Sequence, residues 1–165
     1  MRRMETKEMT LAAALIGIAV VGSAFSVPVF GARCAPMQHM VNILCAVLLG
    51  PRWGVAAAFS ASVLRNMLGL GTLLAFPGSM CGALLAGIFY QRRKTLAAAC
   101  MGEVIGTGLL GGLLAYPLAV WILGNESAAL FTFVFPFLVS TLGGTFAAAV
   151  VLAGKSGVAA LLHRE

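Results

Sequence analysis

The chain has 165 residues, 61% of them hydrophobic and 10% charged, with a formal charge of +6 and a mean hydropathy of +1.00. Soluble domains carry about a quarter charged residues, so these values exclude a water-soluble enzyme and indicate an integral membrane protein of one compact bundle. The basic excess does not mark a nucleic-acid face, because the lysines and arginines fall in short segments between apolar runs, which is a pattern of topology.

In chain order, Arg2, Arg3 and Lys7 precede a first apolar span over residues 9–25, which stops before Pro28. A basic start followed by Gly22-Ser23-Ala24 also resembles a secretion signal with its cleavage site, but the spans downstream favour an uncleaved helix. Residues 27–37, VPVFGARCAPM, read as a loop rich in Pro and Gly. A short apolar segment over 38–49 ends at Gly50-Pro51. A third span, 51–68, opens on Pro51, where the missing N–H costs nothing. Residues 69–76 read as a turn before a fourth span over 77–90. The basic loop QRRKT leads to a fifth span, 96–123, and GNES to a sixth, 130–153.

The second segment is short for roughly 30 Å of hydrocarbon, yet the charges require it to cross. With the N-terminus inside, Arg2, Arg3, Lys7, Arg52, Arg92, Arg93, Lys94, Lys155 and Arg164 all become cytoplasmic, and Arg33 is the one basic residue of the outer loops. That asymmetry holds only with six crossings. The expected fold is therefore all-α: a single transmembrane domain over residues 1–165, six helices, both termini cytoplasmic. No internal repeat is visible, so the inverted repeats of many secondary transporters are not indicated.

Polar residues stand out against this background. On the third span Phe59, Val63, Met67 and Leu70 form a bulky stripe, with Ala57, Ala61 and Arg65 opposite and Ala58, Ser62 and Asn66 along the edge. Small residues let membrane helices approach closely, so Arg65 should face protein. An arginine at the hydrocarbon centre costs at least ~2.5–3.5 kcal/mol, which asks for a partner or a wet cavity. The fifth span carries the intramembrane carboxylate Glu103, in a stripe with Thr107, Gly111 and Ala115. Arg65 lies about 21 Å and Glu103 about 11 Å from their helix starts. They can form a bundle-locking ion pair only with stretch or stagger; the alternative is that at least one faces a ligand cavity.

Pro117 and Pro136 are expected to interrupt the last two helices, freeing the carbonyls of Leu113 and Thr132. Tyr116, Trp121, Phe133, Phe135 and Phe137 cluster at one level, as an interfacial belt or, for Tyr116 and a phenylalanine, as a stacking wall. Gln38, His39 and Asn42 lie together at the outer mouth near Arg65 and Asn66. Four cysteines without CxxC spacing give neither a disulfide framework nor a metal site. Ala153-Gly154-Lys155-Ser156 is not a phosphate-binding loop, since Ala149 stands where that motif needs glycine and the segment ends a membrane helix. No nucleophile-and-base set and no cofactor motif is visible, so no enzyme is expected.

Two blocks, PMQHMVNILCAVLLGPRWG from Pro36 and LRNMLGLGTLLAFPGSMCGALLAG from Leu64, resemble the S components of energy-coupling factor (ECF) transporters, the ThiW type in particular, which is associated with the thiamine precursor hydroxyethylthiazole. Hydropathy and length extend the likeness over nearly all of the chain. The resemblance implies six helices in a bacterial cytoplasmic membrane and an outward pocket closed by the loop between helices one and two. It also implies docking on a membrane T component that is coupled to two cytoplasmic ATPase subunits. Substrate contacts are expected from Gln38, His39, Asn42, Arg65, Asn66, Thr72 and Glu103, with Phe76 or Tyr116 stacking on the ring. Gly69, Gly71 and Thr72 are expected to shape the pocket. Partner docking is expected on helix one at Ala13, Ala14, Gly17 and Val21, where the alternative is ordinary packing inside the bundle. Two rival functions stay open: an S component for thiamine or a pyrimidine, and a stand-alone transporter using Glu103 as a proton-linked carboxylate.

Overall fold

The computed structural model describes the backbone of residues 2–29 and 32–162 and the side chains of residues 6–29 and 33–154. The side chains of Arg2, Arg3 and Lys155, and all of Arg164, lie outside the described residues. Six helices make up the bundle: α1 (Arg2–Gly22), α2 (Pro36–Leu48), α3 (Pro51–Met67), α4 (Ala75–Arg93), α5 (Leu96–Ile122) and α6 (Val134–Leu162). Three apolar stretches are long enough to cross a membrane, namely Thr6–Phe25, Leu96–Ile122 and Val134–Gly154. At 1.5 Å per residue, α3 and α4 reach about 26 and 28 Å. Exposed Ile18 and Val21 on α1, Leu109, Leu110 and Leu114 on α5, and Leu142, Phe146 and Val150 on α6 give the outside an apolar belt. A belt of that extent suits lipid and not water.

Consecutive helices run antiparallel, as their close approaches show. A Cβ on Gly87 would meet Pro51, one on Gly102 would meet Leu85, and one on Gly112 would meet Val134, while Ser62 faces Ser79. Pro51 opens α3 as anticipated. The small stripe of α3 is its inner face: Ala57, Ala58, Ala61, Ser62 and Arg65 are all buried, and Phe59 and Met67 point outward.

Three features differ from expectation and one agrees with it. Residues 27–37 are not all loop: Val27–Val29 (β1) and Ala32–Cys34 (β2) pair antiparallel in a small hairpin, so the all-α bundle carries one β element. Helix α4 begins at Ala75, which puts Pro77 in its first turn. Helix α6 begins at Val134, so Pro136 also falls in a first turn, where no i−4 partner is lost. Pro136 therefore interrupts nothing. The fifth helix does deviate: its ladder widens to i→i+5 over Val104–Gly111, directly after Glu103, and again over Leu118–Ile122, after Pro117. Such widening in a helix is frequently found at functional sites.

Helix α2 is the hub. It touches α1, α3, α4, α5 and α6, and every residue from Gln38 to Ala46 is buried. Its 13 residues span only about 20 Å, which suffices because protein, not lipid, surrounds it. Its apolar residues Met40, Val41, Ile43, Leu44 and Cys45 pack with Leu15, Ala19, Ala57, Ala61, Ala99 and Ala148. A second apolar cluster of Leu74, Ala115, Ala119, Phe133 and Phe137 lies towards the hairpin end.

Glycine makes the α4–α5 contact possible. A Cβ on Gly106 would stand 2.7 Å from the Gly82 Cα, whereas one on Gly17 would meet nothing within 4 Å. Gly106→Ala should lower the unfolding midpoint in detergent by the equivalent of about 1–3 kcal/mol of overpacking. Gly17→Ala should leave it unchanged or raise it.

Candidate functional site

Between the two apolar clusters lies a layer of polar side chains that are almost wholly buried: Gln38, His39, Asn42, Ser62, Arg65, Ser79, Glu103, Thr107 and Ser140. Buried polar groups usually find partners, and here most do so in two linked sets, with Gln38 Nε2, Asn42 Oδ1, Arg65 Nε and Glu103 Oε2 left without one among the described residues.

The first set surrounds Glu103. Its Oε1 lies 2.9 Å from His39 Nδ1, 3.0 Å from Asn42 Nδ2 and 2.9 Å from Thr107 Oγ1. The carboxylate fixes the imidazole tautomer with hydrogen on Nδ1, leaving Nε2 as the free ring nitrogen. Asn42 gives its second N–H to the Ser79 carbonyl at 3.2 Å, and the Thr107 hydroxyl sits equally close to the Gly78 carbonyl, at 3.0 Å. The cluster thus ties α2, α4 and α5 together. Gly82 makes room for it, since a Cβ there would stand 2.7 Å from Glu103 Oε2.

The second set centres on Arg65, 2% exposed near the end of α3. Its Nη1 donates to Gln38 Oε1 at 3.0 Å, and its Nε has no partner among the described residues. Arg65 and Glu103 form no ion pair. Adjacent residues of α2 divide them, Gln38 taking the cation and His39 the anion. The bundle-locking pair weighed from sequence is replaced by two separate anchors on one central helix.

A cavity of about 20 Å³ opens beside these groups, lined by Arg33, Ala35, Gln38, His39, Arg65, Ala75, Gly78, Ser79, Thr107, Phe137 and Ser140. That is room for about one water. The hairpin closes it. Arg33 Nη1 donates to the Gly69 carbonyl at 3.1 Å, the Cys34 thiol to the Pro136 carbonyl at 3.2 Å, and the Ala35 N–H to Ser140 Oγ at 2.9 Å. Burial pushes the Cys34 thiol up from its ordinary pKa.

Of the residues expected to contact a substrate, Gln38, His39 and Arg65 line the cavity. Glu103 stands behind that wall as the partner of His39, and Asn42 as a partner of Glu103. Four others do not line it. The Asn66 amide is spent on the Ser62 and Thr72 carbonyls, at 2.8 and 3.3 Å, so Asn66 and Thr72 shape the α3–α4 turn. Phe76 packs edge-on against the half-exposed Phe59, ring centres 5.8 Å apart. Tyr116 is half-buried on α5 away from the cavity. Phe137 is the aromatic in the cavity wall, while Phe135 and Trp121 face outward.

Sequence reasoning missed Arg33, Ser79 and Ser140 as lining residues. Thr107 carried a usable signal, four residues from Glu103 on one face; Ser140 carried none. No group of three or more His, Cys, Asp or Glu suited to a metal ion occurs among the described residues.

On α1, Ala12, Leu15 and Ala19 face the bundle, while Ala13, Ala14, Gly17 and Val21 face out. Ordinary packing inside the bundle does not account for that outer face. Two apolar grooves flank it, of about 660 and 440 Å³, and Gly17 and Val21 line both.

Residues 9–155 match the family described as "Thiamine-precursor transporter protein (ThiW)". No individually curated protein matches the chain.

If the Glu103 cluster organises the bundle, Glu103→Ala should destabilise more than Glu103→Gln, because it strands the His39 and Asn42 donors at once while Thr107 keeps the Gly78 carbonyl. Each stranded buried group costs about 1–3 kcal/mol. Thermal unfolding in detergent should rank wild type above Glu103→Gln and Glu103→Gln well above Glu103→Ala; equal midpoints for the two variants would contradict this role.

Proposed function

The chain belongs to the ThiW family of thiamine-precursor transporters, and from that premise we propose that it is the substrate-binding membrane subunit of an ECF-type importer, taking up hydroxyethylthiazole. The observation that carries this reading is an enclosed cavity walled by buried polar side chains in the middle of an apolar bundle. Ligand sites are mostly apolar pockets with a few convergent polar groups. A thiazole presents a ring nitrogen that accepts and a hydroxyl that both donates and accepts. Gln38, His39, Arg65 and Ser79 supply complementary groups, with Phe137 as the wall against the ring. Glu103 holds His39 in place, with Asn42 on the same carboxylate oxygen, and Asn66 and Thr72 set the turn beside Arg65. In this reading Phe76 and Tyr116 contribute shape from outside the cavity.

Twenty cubic ångström is far too little for a thiazole ring. Binding therefore requires the hairpin to lift, breaking the Arg33, Cys34 and Ala35 hydrogen bonds, and to close again over the ligand. Those bonds are three in number, one of them exposed and two buried, so opening costs less than unpacking the bundle.

The proposed topology has six crossings of a bacterial cytoplasmic membrane with both termini inside. Lys7, Arg52, Arg92, Arg93 and Lys94 gather at one end, where Trp53 Nε1 donates to Glu8 Oε2 at 3.0 Å and Gly87 abuts Pro51. The cavity and hairpin lie at the other end. Positive-inside placement then sends the cavity outward. The chain brings no nucleotide-binding loop, and Gly154, in the Walker-like tetrapeptide, lies inside α6. Energy would come from two cytoplasmic ATPase subunits through a T component docked on the outer face of α1. Small residues there let a partner helix approach closely.

A stand-alone proton-coupled transporter is the second reading, favoured by the buried His39–Glu103 pair. Glu103 does not line the cavity, and its Oε1 is held by His39 and Asn42 with Thr107 beside it, which favours a structural carboxylate.

Two measurements test these readings. Hydroxyethylthiazole at about 100 times its Kd should stabilise the detergent-purified chain by ~2.7 kcal/mol, with thiamine and the pyrimidine precursor stabilising it less. Stabilisation by another ligand alone overturns the substrate assignment, and ion-driven uptake by the chain alone in liposomes overturns the subunit assignment. Gly17→Leu should abolish co-purification with a T component while ligand stabilisation persists; retained assembly moves the docking face elsewhere.

A further inference from the structure

We propose that the cavity holds an anionic oxygen group of the ligand, a carboxylate or a phosphate, between Arg33 and Arg65. This rests on the reading of the cavity as the substrate site for a thiazole and narrows it: the preferred thiazole carries an acid group where hydroxyethylthiazole carries its alcohol. Two guanidinium groups line the cavity, Arg65 buried and Arg33 at the exposed rim, and no carboxylate lines it. Glu103 stands behind His39 and Thr107, with Oε1 already held by His39 and Asn42. Burying a cation without a counter-ion is expensive, so an arrangement with two of them around one small space calls for an anion.

The hydrogen-bonding inventory points the same way. Two lining residues have buried polar atoms without a partner, Arg65 Nε and Gln38 Nε2, and both are donors. The Gln38 assignment is fixed by its neighbour, since a flipped amide would turn NH₂ against the Arg65 guanidinium instead of the oxygen that now accepts at 3.0 Å. Ser140 Oγ accepts from the Ala35 N–H, so its own hydrogen is also available. These unspent donors and the rim arginine belong to residues that line one small space. A carboxylate or phosphate oxygen group only accepts, and charge-assisted bonds to Arg are the stronger kind.

The test measures Kd by calorimetry on the full chain in detergent, at fixed ionic strength. One compound set is hydroxyethylthiazole, its phosphate ester and the corresponding thiazole acetic acid. Thiamine with thiamine monophosphate forms a second neutral and anionic pair, and inorganic phosphate is measured alone. At least one anionic thiazole should bind about tenfold or more tightly than the alcohol. That ratio should fall to about threefold or less in Arg65→Gln and in Arg33→Gln; the rim position of Arg33 keeps the test available if the buried variant does not fold. Preference for the ester assigns a phosphate and preference for the acid assigns a carboxylate, and either supports the proposal. An alcohol that binds as tightly as both acids overturns it while leaving the thiazole reading intact. An acid preference unchanged in both variants also overturns it. Failure of every thiazole, with thiamine monophosphate preferred over thiamine in an Arg33-dependent way, leaves the anion proposal standing and removes the thiazole reading. No binding by any compound overturns both.

Discussion

Everything in this bundle is arranged around two charges that cannot be left in hydrocarbon. Arg65 and Glu103 are both nearly inaccessible, and each is anchored by a neighbour on α2, Gln38 for the guanidinium and His39 for the carboxylate. A direct ion pair would have neutralised both and filled the middle of the protein. Dividing them across two consecutive residues of a central helix keeps them apart. The carboxylate is held through one oxygen by donors from α2 and α5, and the guanidinium borders free space with donor capacity unspent.

That division depends on how α2 is enclosed. A 13-residue helix is too short to face lipid along its length, but five other helices surround this one, and small residues let them come close. Gly82 admits the Glu103 and Thr107 side chains, and Gly144 lets α6 pass the backbone of Pro36 and the side chain of His39. A membrane interior gives helices no hydrophobic reason to associate, so close packing and buried hydrogen bonds carry the assembly. The same network that joins α2, α4 and α5 also orients the imidazole at the cavity wall, and stability and recognition draw on shared residues.

The hairpin is the part that differs in kind. Its hold on the bundle consists of a guanidinium on a carbonyl, a thiol on a carbonyl and a backbone N–H on a serine. These are few, and the Arg33 bond lies exposed at the rim while the other two are buried. Regions with few buried contacts open most easily.

Much of the fold could be read from the chain in advance. Apolar runs, proline starts and the placement of basic residues mark the helices to within a few residues, and the small stripe opposite Phe59 correctly turns Arg65 inward, because helical periodicity and the cost of a charge in lipid are both local properties of the sequence. Gln38, His39 and Arg65 were visible for the same reason, as polar residues in apolar surroundings. What contacts what was not visible. Whether Arg65 meets Glu103 or Gln38, whether Asn66 faces a cavity or its own turn, and whether Phe76 or Phe137 supplies the aromatic wall depend on helix stagger and rotation. Those are fixed by glycines packing against residues many turns away in sequence. Arg33 and Ser140 show the limit most clearly: one sits in a hairpin that reads as loop and the other on an unpatterned helix face, and only the meeting of β2 with α6 brings them to the same cavity.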